Sequence, residues 1–380
     1  MRFTEEQLAL RDAVRRFTEK EITPHAAEID ESDRFPDGWR RAMGEMGLLQ
    51  MWVPEEYGGP GGDLTSVCIA KEETARGSLT ASTLCCNNSI GLILPLVHFG
   101  TDEQKRTYLP RSARGELMAA VAMTEPHAGS DVSGMKTRAV RQPNGDWVIN
   151  GQKCWITWAE VADVVLVFAK TGDGPPHENI SCFLVDVKTP GFRLGRKEKK
   201  MGRNGAPNHE IFFDEMVVPG DALVGEEGKG FSACMRILDL NRPTIAASSL
   251  GLAQAALDLS VAYCKERRAF GKPIGQFQGM QFKLADMAMK IEAARHMLYG
   301  ICDEIDSGDL SRLQVIASMC KCYVTDIAME VTTEAVSVFG ANGYSKEYPL
   351  ERMMRDAKLN QIIEGTNEIH RMVIGRALVR

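Results

Sequence analysis

The chain has 380 residues, enough for two or three domains with substantial cores, and it is 44% hydrophobic and 25% charged, as ordinary globular proteins are. Its 45 Lys and Arg against 51 Asp and Glu leave a formal net charge of −6, and the densest basic run, 196–200, is short and contains Glu198. No basic stripe marks a nucleic-acid binder, so that class of partner is excluded.

Helical signals fill the first third. Leu8, Ala9, Val14 and Phe17 follow helical spacing behind Thr4, Glu5 and Glu6, which read as a helix start. Turn clusters at 30–36 and 57–62 interrupt the region, and helical patterns resume over 64–76, 79–99 and 101–109. Near Met118 the period changes. Short stretches rich in Val, Ile and Phe at 118–124, 136–141, 146–150, 161–169, 180–187 and 210–218 are separated by turn residues, and Asn144-Gly145 is a hairpin signal. After the glycine-rich 225–230 segment the pattern is helical again: 235–267 with a kink expected at Pro243, then 282–306, 312–339 and 350–362. The expected fold class is α+β. An N-terminal helical domain (1–117) precedes a middle β-barrel or sandwich domain (118–228) and a C-terminal four-helix bundle (229–380).

The ten cysteines include the adjacent Cys85 and Cys86 and the pair Cys320/Cys322, while the rest are scattered, several in apolar context. This suits buried, reduced thiols and offers neither a metal nor a disulfide framework. The opening residues are charged and amphipathic with no leader-like apolar run, and no stretch reads as long as a membrane span. A cytoplasmic protein with no membrane partner is the expectation.

Five stretches carry candidate chemistry. Glu364 follows the apolar pair Ile362 and Ile363, and Gly365 then frees the backbone before Thr366 caps a last helix. A carboxylate on such a turn could be desolvated into a useful general base, or it could be a solvated loop residue. The loop 122–131 contains Thr124, Glu125, Gly129, Ser130 and Asp131, and can turn N–H groups and hydroxyls toward an anion or ring edge; a surface turn is its structural reading. Trp155 and Thr157, at a strand end, can face and hydrogen-bond a planar cofactor, although core packing explains a strand Trp equally well. The helix break 266–278 holds Arg267, which can clamp a phosphate, and Phe270, which can stack on a purine; as a helix–helix turn it is unremarkable in composition. Gly340, Asn342 and Gly343 allow close backbone approach, or simply end a helix.

In this order, on an α–β–α layout, the five stretches together resemble the acyl-CoA dehydrogenase family along nearly the whole chain, nearest its short- and medium-chain branch. The resemblance implies that Glu364 removes the α-proton of an acyl-CoA thioester while the β-hydrogen leaves as hydride to FAD, giving a trans-2-enoyl-CoA. It implies FAD contacts from Met123, Thr124, Gly129, Ser130, Trp155, Thr157, Ser337, Ala341, Thr366 and Glu368, and adenosine contacts across a subunit interface from Arg267, Phe270 and Gln278. Ser130, Asp239, Arg242 and Gly365 would stand near the substrate. Position 241, where a related branch carries its base, is Asn, so the base stays at Glu364. A homo-oligomer, a tetramer in most of the family, and an electron transfer flavoprotein as electron acceptor are implied too.

The chain departs from the family pattern at several points. Trp158 stands where Asn is usual and Ile363 where Tyr is frequent, while Ser337 and Ala341 replace Gln and Gly. The expected floor of the acyl pocket, 83–87, is small and polar. Trp158 and Ile363 together are expected to reshape that pocket toward short, branched or cyclic acyl groups. The alternatives are a flavin oxidase or monooxygenase of the same fold and a non-catalytic flavoprotein.

Overall fold

The computed structural model describes residues 2–379; Met1 and Arg380, the outer limits of the first and third expected domains, lie outside the described residues. The first helix, Glu5–Phe17, starts on a capping box in which Thr4 accepts from the Gln7 N–H and the Gln7 side chain accepts from the Thr4 N–H. Helix Leu64–Ala75 is buried at nearly every position, including Lys71, Glu72 and Glu73. Its apolar signal is therefore nearly uniform around the axis, as a core helix requires. It crosses helix Gly230–Glu266 at Gly251, where a Cβ would lie only 1.9 Å from the Glu72 carbonyl oxygen.

Eight strands follow: β1 Ala119–Ala122, β2 Arg138–Arg141, β3 Trp147–Thr157, β4 Val164–Lys170, β5 Ile180–Asp186, β6 Phe192–Lys197, β7 Asn208–Val218 and β8 Leu223–Val224. Their order is β6-β7-β3-β2-β4-β5-β8, with β1 parallel to β4. β2 and β4 meet only at Arg138 and Lys170, so the sheet folds at that junction into two packed layers. Trp147 and Phe183 fill the space between them edge to face, with ring centroids 5.2 Å apart. Full burial of such side chains stabilises by roughly 1.5–3 kcal/mol each.

Two strand expectations need correcting. The 146–150 stretch and the strand end holding Trp155 and Thr157 are one strand, β3, continuous through bulges after Ile149 and after Lys153 that break its alternation. β6 was not expected, because it is a polar edge strand with little hydrophobic signal. The 144–145 turn does close a hairpin between β2 and β3, with Gly145 at φ +93°.

The C-terminal bundle is built from Gly230–Glu266, Gln278–Asp306, Leu313–Phe339 and Leu350–Asn360, followed by Asn367–Leu378. Pro243 lies inside the first helix without ending it. All ten cysteines are buried and free. Two segments, Leu79–Phe99 and Gly230–Glu266, are in fact long and apolar enough to span a membrane, contrary to the sequence expectation. They are largely buried inside the protein, which is why they are apolar.

Candidate active site

A cavity of about 620 Å³ opens where the three regions meet. It is lined by Met123, Thr124, Gly129 and Ser130 from the loop after β1, by Trp155 and Thr157 from the end of β3, and by Arg242, Glu364 and Gly365 from the helical bundle. The structure thus brings nine of the expected site residues to one space. The N-terminal helices add Lys71, Thr83, Cys86 and Asn87, the last three from the expected acyl-pocket floor.

Glu364 stands at the turn between Leu350–Asn360 and Asn367–Leu378, with left-handed backbones at Glu364 (φ +53°) and Gly365 (φ +94°). Buried hydrogen bonds hold this strained corner. Lys321 donates to the Gly365 carbonyl at 2.8 Å and to Asn367 Oδ1 at 2.9 Å, and Asn367 Nδ2 donates to Asp326 Oδ1 at 2.7 Å. Thr366 caps the last helix by accepting from the Ile369 N–H. His370, buried beneath Gly365, is pushed down to about 3 by burial and the nearby cations Arg242 and Lys321, so it stays neutral.

Among the described residues the carboxylate of Glu364 receives one hydrogen bond, from Asn241 Nδ2 to Oε1 at 2.7 Å, and Oε2 is shielded from solvent without a partner. Arg242 Nε donates to the Glu364 carbonyl at 3.2 Å while its guanidinium pairs with the buried Asp239. Burial raises the Glu364 carboxyl above the ordinary carboxylate range, and Arg242, Asn241, Lys71 and Lys321 pull it partly back. A carboxylate with a raised pKa and an unpartnered oxygen at a cavity wall has the properties of a general base.

On the opposite side of the chemistry, the 123–131 loop is fixed by a buried ion pair. Lys153 Nζ donates to Glu125 Oε1 at 2.9 Å and to the Met123 carbonyl at 3.0 Å, while Glu125 also accepts from the N–H groups of Lys136 and Thr137. Cys154 N–H donates to the Thr124 carbonyl, tying the loop to β3 beside its second bulge. There Trp155 takes φ +61° and keeps 54% of its surface exposed. A Cβ added at Gly129 would meet nothing within 4 Å, so open space lies against the loop. An exposed indole beside an open, hydroxyl-bearing loop fits a planar ring with a polar edge, and so fits a flavin.

The remaining expected cofactor residues lie off this cavity. Phe270, 95% exposed with φ +50°, is at the tip of a small hairpin, and Arg267 and Gln278 flank it on the surface. Ser337, Ala341 and Glu368 are exposed, Thr366 is half-buried in its capping role, and Asp239 is buried against Arg242. Trp158 lines the cavity but is not an open indole on a cofactor face: it is 4% exposed and packs edge to face on Phe35. Sequence reasoning considered Asn241 only as a missing base and overlooked Lys71 and Arg203. Charged residues inside the apolar 64–75 helix were the signal that could have found Lys71.

Comparison with known proteins agrees with this geometry. Family models described as the N-terminal, middle and C-terminal domains of acyl-CoA dehydrogenase match residues 4–116, 120–216 and 228–379. A probable acyl-CoA dehydrogenase of Mycobacterium tuberculosis is 45% identical over 377 residues, covering 99% of this chain and 96% of that protein. A cyclohex-1-ene-1-carbonyl-CoA dehydrogenase of Geobacter metallireducens is 45% identical over 378 residues, covering 99% and 98%. Among solved structures, butyryl-CoA dehydrogenase from Megasphaera elsdenii superposes with a TM-score of 0.96 at 40% identity, covering 100% of both chains. A chain from a structure described as the electron transferring flavoprotein of Acidaminococcus fermentans gives 0.95 at 40% identity, covering 100% of this chain and 99% of that one.

Proposed function

The chain belongs to the acyl-CoA dehydrogenase family, and from that premise we propose that it oxidises an acyl-CoA thioester to the trans-2-enoyl-CoA with Glu364 as the base that takes the α-proton. The observation that carries this reading is the buried, unpartnered Oε2 of Glu364 on the cavity wall. Asn241 occupies Oε1 and orients the carboxylate, which leaves Oε2 as the proton acceptor. Thioester α-protons are too weakly acidic for an unaided carboxylate, so the carbonyl oxygen needs donors as charge develops on it. The Glu364 N–H supplies one, held in place by the left-handed corner and by Arg242 on the carbonyl of the same residue. Proton transfer to a positioned base is worth about 10²–10⁴-fold in rate.

Met123, Thr124, Gly129, Ser130, Trp155 and Thr157 are the residues that would hold FAD in the cavity, while Ser337, Ala341, Thr366 and Glu368, which lie off it, are FAD contacts only as the family pattern implies. When bound, FAD supplies the acceptor for the β-hydrogen, which leaves as hydride. Arg267, Phe270 and Gln278 lie away from the cavity on the surface, which favours a role toward the cofactor of a second subunit and hence a homo-oligomer, with a tetramer as the expected size. Electron transfer flavoprotein is the proposed acceptor, supported by the likeness to the Acidaminococcus chain. Ser130, Arg242 and Gly365, backed by Asp239, form the substrate side. Trp158 and Ile363, both on the cavity wall, favour a short, branched or cyclic acyl group.

Anaerobic titration of the purified protein with a panel of acyl-CoA thioesters tests the proposal. Bleaching of the flavin by at least one thioester is expected, with oxygen consumption in air remaining slow. A flavin spectrum that no thioester alters would overturn it.

A further inference from the structure

Two buried cations, Lys71 and Arg203, line the cavity and, among the described residues, make no hydrogen bond to the base. Lys71 sits in the middle of Leu64–Ala75, 6% exposed, and lines the cavity. Its two neighbours are engaged elsewhere: Glu72 by Arg295 at 3.1 Å and Tyr299 at 2.6 Å, and Glu73 by Arg15 at 2.6 Å. Among the described residues, no carboxylate lies within ion-pair distance of Lys71 Nζ.

Arg203 is 5% exposed and lines the same cavity. Its left-handed backbone (φ +51°) is held by a hydrogen bond from its N–H to Asp356 Oδ1. Among the described residues the guanidinium has a single hydrogen bond, to Thr83 Oγ1 at 3.4 Å, and its Nε is buried with no partner. Burial lowers the Arg203 pKa to about 10, with Asp356 and Glu364 opposing the shift, so it remains charged at neutral pH.

The other two cations around the base are committed elsewhere. Arg242 is paired with Asp239, and Lys321 is spent on Gly365 and Asn367. A buried cation with unused donors is costly unless something anionic joins it. Thr83, Asn87 and Ser248 on the same cavity wall are small and polar. Phosphates of the CoA moiety belong near solvent, whereas these two side chains are enclosed.

We infer that the acyl group of the substrate ends in a carboxylate, which Arg203 and Lys71 receive, so that the preferred substrate is the CoA monothioester of a short dicarboxylic acid. The inference rests on the dehydrogenase reading above. Arg203 offers a planar pair of donors matched to a carboxylate, and Lys71 adds a point charge. The two cations then gain an anionic partner only when the correct substrate is bound, which makes the subsite a filter against neutral chains of equal length.

The test compares kcat/KM of the holoenzyme for glutaryl-CoA and adipyl-CoA with pentanoyl-CoA, hexanoyl-CoA and 5-hydroxypentanoyl-CoA, using an artificial electron acceptor. The carboxylated thioesters are expected to lead their neutral counterparts by at least about tenfold, the size of one modest charge-assisted contact. In Arg203→Gln and in Lys71→Met that ratio is expected to fall at least about tenfold, and Arg203→Lys should recover part of it. Should a variant fail to fold, the wild-type ratio alone decides. Preference for pentanoyl-CoA or for the hydroxy compound would overturn the inference and leave the dehydrogenase reading standing. Flavin that none of these thioesters reduces would overturn both.

Discussion

The side-chain amide of Asn241 donates to Oε1 of Glu364 at 2.7 Å, and the other oxygen of that carboxylate is buried without a partner. One hydrogen bond therefore does two things. It aims the free oxygen into the cavity, and it moderates the rise in pKa that burial imposes.

This gives a pH prediction with a definite sign. Glu364 must be ionised to accept a proton, so kcat/KM rises as pH rises through its pKa. The Asn241 hydrogen bond favours the ionised form and lowers that pKa. Asn241→Leu removes a bond to a charged acceptor, worth about 1.5–3 kcal/mol, and should move the acidic limb of the profile about 1–2 pH units to the alkaline side. A profile that keeps its position in Asn241→Leu would show that the amide does not set the base.

Gly365→Ala tests the corner that carries the base. At φ +94° an added Cβ is strained, and it would meet the ring of His370 at 3.2 Å from Nε2. Since His370 is buried against Ser318, the ring has little freedom to yield. The expected cost is about 1–3 kcal/mol in stability, read by chemical denaturation. A displaced Glu364 should also lose about tenfold to a hundredfold in turnover with FAD still bound.

Lys153→Met tests the support of the loop after β1. It would leave Glu125, 3% exposed, without its buried cation and with only the partly exposed His127 imidazole 3.4 Å away. Breaking a buried pair from one side costs roughly 3–5 kcal/mol, so a lower denaturation midpoint and weakened flavin retention are expected. Because a neutral amide still accepts from Lys136 or Thr137, the double variant Lys153→Met/Glu125→Gln should recover part of the loss. Flavin retention equal to wild type in Lys153→Met would contradict this account of the loop.

Much of the plan was legible from sequence because period and turn chemistry are local. Thr4 at a helix start, Asn144-Gly145 at a hairpin and Glu364-Gly365-Thr366 at a corner all stand where residue type alone places them. β3 was read in two pieces because its two bulges interrupt the alternation, and β6 was missed because an exposed edge strand need not be hydrophobic. Asn241, Lys71 and Arg203 lie far apart in sequence and are joined to Glu364 only by the crossing of helices and the closing of the 203–207 loop. No local pattern marks Asn241 or Arg203, whereas Lys71 stands out only as a charge inside an apolar helix. Trp158 lines the cavity as expected of a pocket residue, but its packing on Phe35, more than a hundred positions away, has no local signal.

The central claim is that Glu364 takes the α-proton. A β-thia acyl-CoA, with sulfur in place of the β-carbon, has no β-hydrogen to lose and isolates that step. Labelled with deuterium at the α-carbon and mixed with the flavin-loaded protein, it should release its label to solvent in wild type. In Glu364→Gln the release should be at least about a hundredfold slower, as expected for loss of a general base. Equal rates of deuterium release in the two proteins would contradict the assignment.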